Sequence, residues 1–436
     1  MPKSEWRDEW LYAAIALPVA LIFALLTPPF QSPDEVGHYW HATAIAQGEL
    51  VSPKVAGRPS AMIPTDARDL VATLWMELAG KDVKYATSKF HDARQLRPTH
   101  DTVRVYFPAF YTAVPYAPQA LALFVARLVH CPTLHAFYVG RIANAIIGIL
   151  LVIVAMRMLP GAAWIFGSVG LTPMFLYLAG TYSADVATIG LAFCTTAAAL
   201  RTADVPSRFE KGILPISATL LSLAKPGYSL IALIRFPRLK ERAELMPILL
   251  ALVGVMLGGW FASNSARAAY YPMRSDVVTD AARQLAQVAQ APLHFLRLAA
   301  SDYITHSFQY IDHLVGRLGW LDIGLPRLVV ISYIVLFVYV AVSVSLRVTG
   351  IERAILASVF LATLLLLSLS QYLIWTPVGG TSIEGLQGRY FIPVVPLALL
   401  LMSTRRVRLW RWAICALTMI GNAIALYTLA AHYYTF

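Results

Sequence analysis

Long apolar runs alternate with polar segments along the chain, and most runs have the length of a membrane-crossing helix. They cover 11–27, 136–156, 161–179, 184–200, 245–263, 326–346, 354–374, 390–403 and 411–431. A helix needs about 20 apolar residues to cross a hydrocarbon layer roughly 30 Å thick. Two shorter runs, 212–223 and 227–236, flank Lys225-Pro226-Gly227 and predict a hairpin that reaches only part-way, shielded by its neighbours. Residues 106–129 are apolar but broken by Pro108, Pro115 and Pro118, with Arg127 near their end.

Basic residues decide which ends of these runs share a side. Lys3 and Arg7 precede the first run, which puts the N-terminus in the cytoplasm, where Lys and Arg are in excess. Suppose 106–129 is an interfacial or re-entrant element that does not cross. Then the same side receives Arg157; Arg201, Arg208 and Lys211; Arg235, Arg238, Lys240 and Arg242; Arg347 and Arg353; and Arg405, Arg406, Arg408 and Arg411. A full span at 106–129 would move most of them outside. The first arrangement gives roughly eleven crossings and an outer C-terminus. The expected fold is therefore an all-α integral membrane protein, one transmembrane domain over 1–436. Two long extracytoplasmic loops, 28–135 and 264–325, would carry juxtamembrane helices. No small-x-small cleavage site precedes Pro28-Pro29, so the first run reads as a retained span.

Composition agrees. The 436 residues are 58% hydrophobic and 14% charged, with a mean hydropathy of +0.62, whereas soluble domains carry roughly 25% charged residues. The net charge of +11 sits in short clusters beside apolar runs, so it implies a bilayer and no nucleic acid. Cys131, Cys194 and Cys415 lie in or next to apolar segments and suggest neither a disulfide framework nor a metal cluster.

Candidate chemistry begins where the first run ends, in Ser32-Pro33-Asp34-Glu35-Val36-Gly37-His38. Ser32 suits an N-cap, Pro33 the first helical position, and Glu35 completes a Ser-x-x-Glu capping box. A helix starting here holds Asp34 in its first turn, where the macrodipole favours the anion. At 100° per residue Asp34, His38 and His41 share a face. Asp34 is the candidate base. Glu35 reads equally as a cap or a catalytic partner. The two imidazoles beside a carboxylate could take a divalent cation, although stacking on or hydrogen bonding to a polar ligand fits the spacing as well.

Three further positions stand out. Asp185, in Gly180-Thr181-Tyr182-Ser183-Ala184-Asp185, is a carboxylate at the mouth of a span, where charge is costly. Lys225, in Ala224-Lys225-Pro226-Gly227-Tyr228, combines a cation with amides that Pro and Gly leave free, which suits phosphate. In Gln387-Gly388-Arg389-Tyr390, Arg389 is the one arginine between 354 and 404 and falls on the outer side, against the positive-inside trend. Carboxylates and cations among aromatics suit a base acting on a hydroxyl while a phosphate departs.

This arrangement resembles the GT-C superfamily of membrane glycosyltransferases, which use lipid-phosphate-linked sugars. Within it, the likeness is nearest to a bacterial family of predicted membrane proteins, domain of unknown function 2142. It covers nearly the whole chain. The residues that carry it are Ser32-Pro33-Asp34-Glu35 with His38, Gly140-Arg141, Ser183-Ala184-Asp185, Ala224-Lys225-Pro226-Gly227-Tyr228, Gly319-Trp320-Leu321-Asp322 and Gln387-Gly388-Arg389-Tyr390-Phe391-Ile392-Pro393. The resemblance implies that Asp34, with Glu35 beside it, is the catalytic acidic residue of the first outer loop and that Asp185 is a second acidic site. Position 187 is Ala, so no Asp-x-Asp pair surrounds Asp185, which speaks against a metal-dependent form.

The resulting expectation is an inverting glycosyltransferase on the outer face of a bacterial cytoplasmic membrane. Its donor would be a polyprenyl-phosphate sugar, and its acceptor a cell-envelope glycan or lipid-linked saccharide. Asp34 and Glu35 would be catalytic, with His38, His41, Asp185, Lys225, Gln387, Arg389 and Tyr390 binding substrate. No cofactor is implied with certainty, and a divalent cation is the less favoured option. A transporter or flippase, or a non-catalytic export subunit for a lipid-linked saccharide, is the alternative reading.

Overall fold

The computed structural model describes residues 6–56, 58–107, 111–201, 208–238, 245–269, 279–344, 346, 348–404 and 407–435. Lys3, Pro108, Lys240, Arg242, Arg347, Arg405, Arg406 and part of the 264–325 loop lie outside them, as do the side chains of Arg7, Arg208 and Arg238. The chain is mostly helical. It runs through α1 (Trp6–Leu26), then a cap made of α2 (Glu35–Ala46), α3 (Thr65–Leu74), α4 (Lys89–Ala93) and α5 (Ala117–Leu128). A bundle follows: α6 (Thr133–Met158), α7 (Ala163–Gly170), α8 (Pro173–Ala179), α9 (Asp185–Leu200), α10 (Arg208–Ala224), a 3-10 helix at Pro226–Arg238, and α11 (Met246–Ala269). Next come α12 (Ala281–Gln290), α13 (Pro292–Thr305) and α14 (Ser307–Gly316), then α15 (Arg327–Ser343) and α16 (Gly350–Ile374). A second 3-10 helix, Gly388–Val394, leads into α17 (Val395–Leu401) and α18 (Arg411–Tyr433).

The cap departs from an all-α reading. Strands β1 (Lys54–Val55), β2 (Arg58–Pro64) and β3 (Thr102–Tyr106) form a three-stranded antiparallel sheet in the order β1-β2-β3, with Ser60 opposite Tyr106 and Pro64 opposite Thr102. A two-stranded ribbon, β4 (Arg317–Leu318) with β5 (Ile323–Gly324), lies between α14 and α15 in the chain. The β3 sequence Thr102-Val103-Arg104-Val105-Tyr106 carries the alternation and β-branched content of a half-buried strand.

Every residue from Ala162 to Leu200 is buried, which makes α7, α8 and α9 the core of the bundle. A helix apolar on all sides must be surrounded on all sides. Among the described residues, four helices are long and apolar enough to cross a membrane: Asp8–Leu26, Thr133–Met158, Gly350–Ile374 and Arg411–Tyr433. The expected straight run 161–179 is instead two short helices bent by 75°; counted as one span, they make five. Element α5, with 12 residues, is shorter than a span.

Ends of the bundle elements sort into two poles. At one, Asp8 pairs with Arg411 at 2.8 Å and Glu9 with Arg157. Arg201 donates to the Met158 carbonyl and pairs with Glu210, Arg235 donates to the Arg201 carbonyl, and Arg353 donates to the carbonyls of Leu401 and Ser403. At the other lie Asp34, Asp185, Lys225 and Arg389. The pair flanking Lys225 is not the half-depth hairpin expected from its sequence. A 3-10 helix rises about 2.0 Å per residue against about 1.5 Å in an α-helix. Thirteen residues from Pro226 to Arg238 therefore extend about 26 Å, matching the 17 residues of α10. Both reach from the Lys225 pole to the Arg201 pole.

One buried ion pair ties cap to bundle. Arg141 of α6 and Glu35 of α2 are both 0% exposed and meet as a fork, Nε to Oε1 at 2.9 Å and Nη2 to Oε2 at 2.7 Å. Arg141 also donates to the carbonyls of Ala24, Thr27 and Pro28, which the end of α1 leaves open. Glu35 accepts the backbone N–H groups of Phe30 and Tyr182. Gly140 makes room, since a Cβ there would lie 1.8 Å from the Tyr182 hydroxyl.

Removing one partner of such a pair leaves a buried charge unbalanced, which costs about 3–5 kcal/mol. Glu35→Gln and Arg141→Met are each expected to lower the thermal midpoint sharply in detergent. The double variant should lose less than the sum, by about 1–3 kcal/mol in a double-mutant cycle. Strict additivity would remove the pair from this role.

Candidate functional site

Four charged side chains that are far apart in sequence meet at one pole, each at the end of an element. Asp34 precedes α2, Asp185 opens α9, Lys225 follows α10, and Arg389 opens the second 3-10 helix. Lys225 Nζ stands 2.7 Å from Asp185 Oδ1, Arg389 Nε 3.7 Å from Asp185 Oδ2, and Arg389 Nη2 3.4 Å from Asp34 Oδ2. The helix ends suit these charges: anions at the starts of α2 and α9, a cation at the end of α10.

Asp34 is held in an unusual backbone state. The helix begins at Glu35, with Asp34 as its N-cap at φ 61°, ψ 8°, in the left-handed region. That conformation costs a non-glycine residue on the order of 1–3 kcal/mol and clusters at functional sites. Its carboxylate makes no capping hydrogen bond and is 54% exposed. The expected capping box does not form. Ser32 is buried and donates to Thr181 Oγ1 at 3.3 Å, because the chain turns sharply before the helix and carries its hydroxyl inward.

Glu35, expected as a cap or a catalytic partner, lies in the interior. Both its oxygens are filled by Arg141 and two backbone amides, and none of it is exposed. The neighbouring carboxylates thus have opposite environments, Glu35 locked inside and Asp34 at the surface of the site.

Lys225 sits over the rings of Tyr111 and Tyr390, 5.1 and 5.0 Å from their centroids, and Arg389 lies 5.4 Å from the Tyr390 ring. The amides expected to be free beside Lys225 are partly engaged, since Lys225 N–H bonds the Leu221 carbonyl and Tyr228 N–H the Lys225 carbonyl. What accompanies Lys225 is Arg389. The Tyr228 hydroxyl donates to the Tyr390 carbonyl at 2.7 Å and fixes the two segments together. Gly388 permits the approach of α14, where a Cβ would lie 1.8 Å from the Tyr310 carbonyl oxygen. Arg389 Nε has no hydrogen-bond partner among the described residues, so this buried guanidinium keeps a donor in reserve. Gln387 contributes its carbonyl to the turn, accepting from Tyr390 N–H, while its side-chain oxygen is buried without a partner among the described residues.

The histidines serve different ends. His38 Nδ1 is 2.7 Å from the Tyr116 hydroxyl, and burial lowers its imidazole to about 4 against the opposing pull of Asp34 and Asp185. His41 is 1% exposed, stacked 4.5 Å from Tyr116 and 5.5 Å from Phe107, and burial holds it at about 3. Among the described residues no group of three or more His, Cys, Asp or Glu is placed to hold a metal ion. In the Gly319–Asp322 stretch, Asp322 accepts from Gly80 N–H at 2.7 Å and joins two loops far apart in sequence.

Tyr111 and Tyr116 also stand at the cluster, and Tyr228 does so as part of the Ala224–Tyr228 motif. For the first two the sequence signal is the aromatic density of 106–116, within the segment that reads as an interfacial or re-entrant element. Thr112 Oγ1 donates to the Leu223 carbonyl at 3.0 Å and pins that segment to the end of α10.

Fold and site together define a membrane protein of several apolar helices with an ionic cluster at one end of its bundle. The chain belongs to the family of predicted membrane proteins designated DUF2142, whose profile matches residues 17–398. No curated protein and no solved structure matches it.

Both imidazoles are neutral in the folded chain well below the ordinary value near 6.5. As pH falls through 6.5 the unfolded chain takes up protons first, so stability is full above that pH and declines towards about 4. The thermal midpoint should fall between pH 7 and pH 5. In the His38→Gln/His41→Gln double variant that fall should be smaller. An equal fall in both would exclude the histidines as its source.

Proposed function

We propose that the chain is an inverting glycosyltransferase of GT-C type, moving a sugar from a polyprenyl-phosphate donor to a cell-envelope glycan or lipid-linked acceptor. The observation that carries this reading is the half-exposed Asp34 carboxylate at the rim of an enclosed Lys225–Arg389 pair. A base that must meet an incoming hydroxyl needs access, and cations that must hold a leaving phosphate need exclusion of water.

Asp34 accepts the proton of the acceptor hydroxyl. The oxygen attacks the anomeric carbon from the face opposite the phosphate, and the bond from that carbon to the phosphate oxygen breaks. Polyprenyl phosphate leaves with the electron pair, its charge growing from about one to two negative units during the step. Lys225 and Arg389 oppose that growing charge, and such contacts are worth on the order of 3 kcal/mol each. Neutral His38, with Tyr111, Tyr116 and Tyr390, offers rings and hydroxyls for the sugar and its acceptor. The charge pattern supports a bacterial cytoplasmic membrane, about eleven crossings, a cytoplasmic N-terminus at the Arg-rich pole and an outward-facing site.

Asp34→Asn in full-length protein reconstituted with polyprenyl-phosphate sugars should cut transfer by at least about 100-fold while the thermal midpoint stays near wild type. Lys225→Met and Arg389→Met should each slow turnover by roughly 100-fold. Undiminished transfer by Asp34→Asn would remove it from the mechanism. Donor movement across the bilayer without sugar transfer would favour a flippase. Loss of wild-type transfer in chelator would bring back a divalent cation.

A further inference from the structure

The four charges of the site sum to zero, but water reaches them unequally. The side chains of Arg389, Asp185 and Lys225 are 4%, 12% and 16% exposed, whereas Asp34 is 54% exposed. The enclosed set is thus two cations against one anion, a single net positive charge. Asp34 stands at the rim, where solvent and salt screen it. Asp185 is shared between both cations through its two oxygens. The other side chains at the cluster add no charge: Tyr111, Tyr116 and Tyr390 are phenols, and His38 is a neutral imidazole.

Resting on the reading of Lys225 and Arg389 as the phosphate-holding cations, we propose that Asp185 is the specificity-determining residue that selects a donor linkage bearing one negative charge. A sugar joined to a lipid through a monophosphate is such a linkage, and it balances the enclosed charge. A diphosphate linkage carries two negative charges and leaves one unbalanced where the local dielectric is low. Asp185 therefore excludes the diphosphate by repulsion while tethering the cations that hold the monophosphate, which is selection by a built-in penalty. Without Asp185, the same two cations would match a diphosphate.

The test needs neither the sugar nor the acceptor. Full-length protein in detergent is titrated calorimetrically with geranyl methyl phosphate, a monoanionic diester, and with its diphosphate counterpart, P1-geranyl P2-methyl diphosphate. Wild type should bind the first at least about tenfold more tightly. Asp185→Asn keeps an oxygen to accept from Lys225, and it should move the ratio of the two affinities towards the diphosphate by about tenfold or more. Asp185→Ser should move it the same way and serves if the first variant does not fold. Asp185→Glu should preserve the wild-type ratio. A ratio unchanged in Asp185→Asn or Asp185→Ser, with both probes still bound, overturns the selection and leaves the phosphate-holding role intact. A wild-type preference for the diphosphate overturns it too. Failure of wild type to bind either probe overturns both.

Discussion

The buried fork between Glu35 and Arg141 is the constraint on which the remaining architecture depends. Two ions have been taken out of water, and their attraction offsets that loss only when every remaining donor and acceptor is satisfied. The chain meets this condition by converging on them. The end of α1 gives three carbonyls, and the turn before α2 and the turn before α9 give one amide each. Strands of sequence from four places are thereby held to a common point. The first turn of α2 cannot shift without breaking that set, so the position of Asp34, one residue earlier, is inherited from Glu35.

The working charges are assembled by a different rule. Each stands where an element starts or stops, so the pole collects ionised groups, and where a charge does sit inside a helix, as Arg141 does in α6, it is matched by Glu35. Such matching matters in a bilayer, where an unpaired charge is costly. Two elements reach the pole by adopting 3-10 geometry, which stretches a short proline-bearing segment over a full-length path. Tyr228, Ile231, Ala232 and Ile234 of the longer run are buried among the neighbouring helices.

The candidate positions were legible as residue types in unusual places: Asp34 and Asp185 at helix mouths, Lys225 between prolines, Arg389 on the wrong side for its charge. That they meet was not legible, since nothing local to position 34 points to position 389. The interior pairing of Glu35 was not legible either, because helix-start motifs describe only near neighbours and its partner Arg141 lies 106 residues away. The sheet in the cap was hidden by the prolines at both ends of β2, although β3 carries a strand's alternation. Of the expected crossing runs, four are helices of spanning length and apolarity among the described residues, or five with the bent pair at 161–179, while Asp185–Leu200, Met246–Phe261, Arg327–Ser343 and Gly388–Leu401 are shorter apolar helices.

The left-handed backbone at Asp34 has an evolutionary consequence. Among the residues that tolerate such a conformation, Asn and Gly are the common ones besides Asp. Drift at position 34 to Asn or Gly can therefore remove the carboxylate without adding backbone strain, whereas drift at position 35 strikes the fork and the architecture with it. Of two adjacent acidic codons, one can lapse and leave the scaffold intact, and the other can scarcely lapse at all. Within a lineage, a retained Glu35 testifies to inheritance of the shape, whereas a retained Asp34 would speak for the chemistry proposed for it.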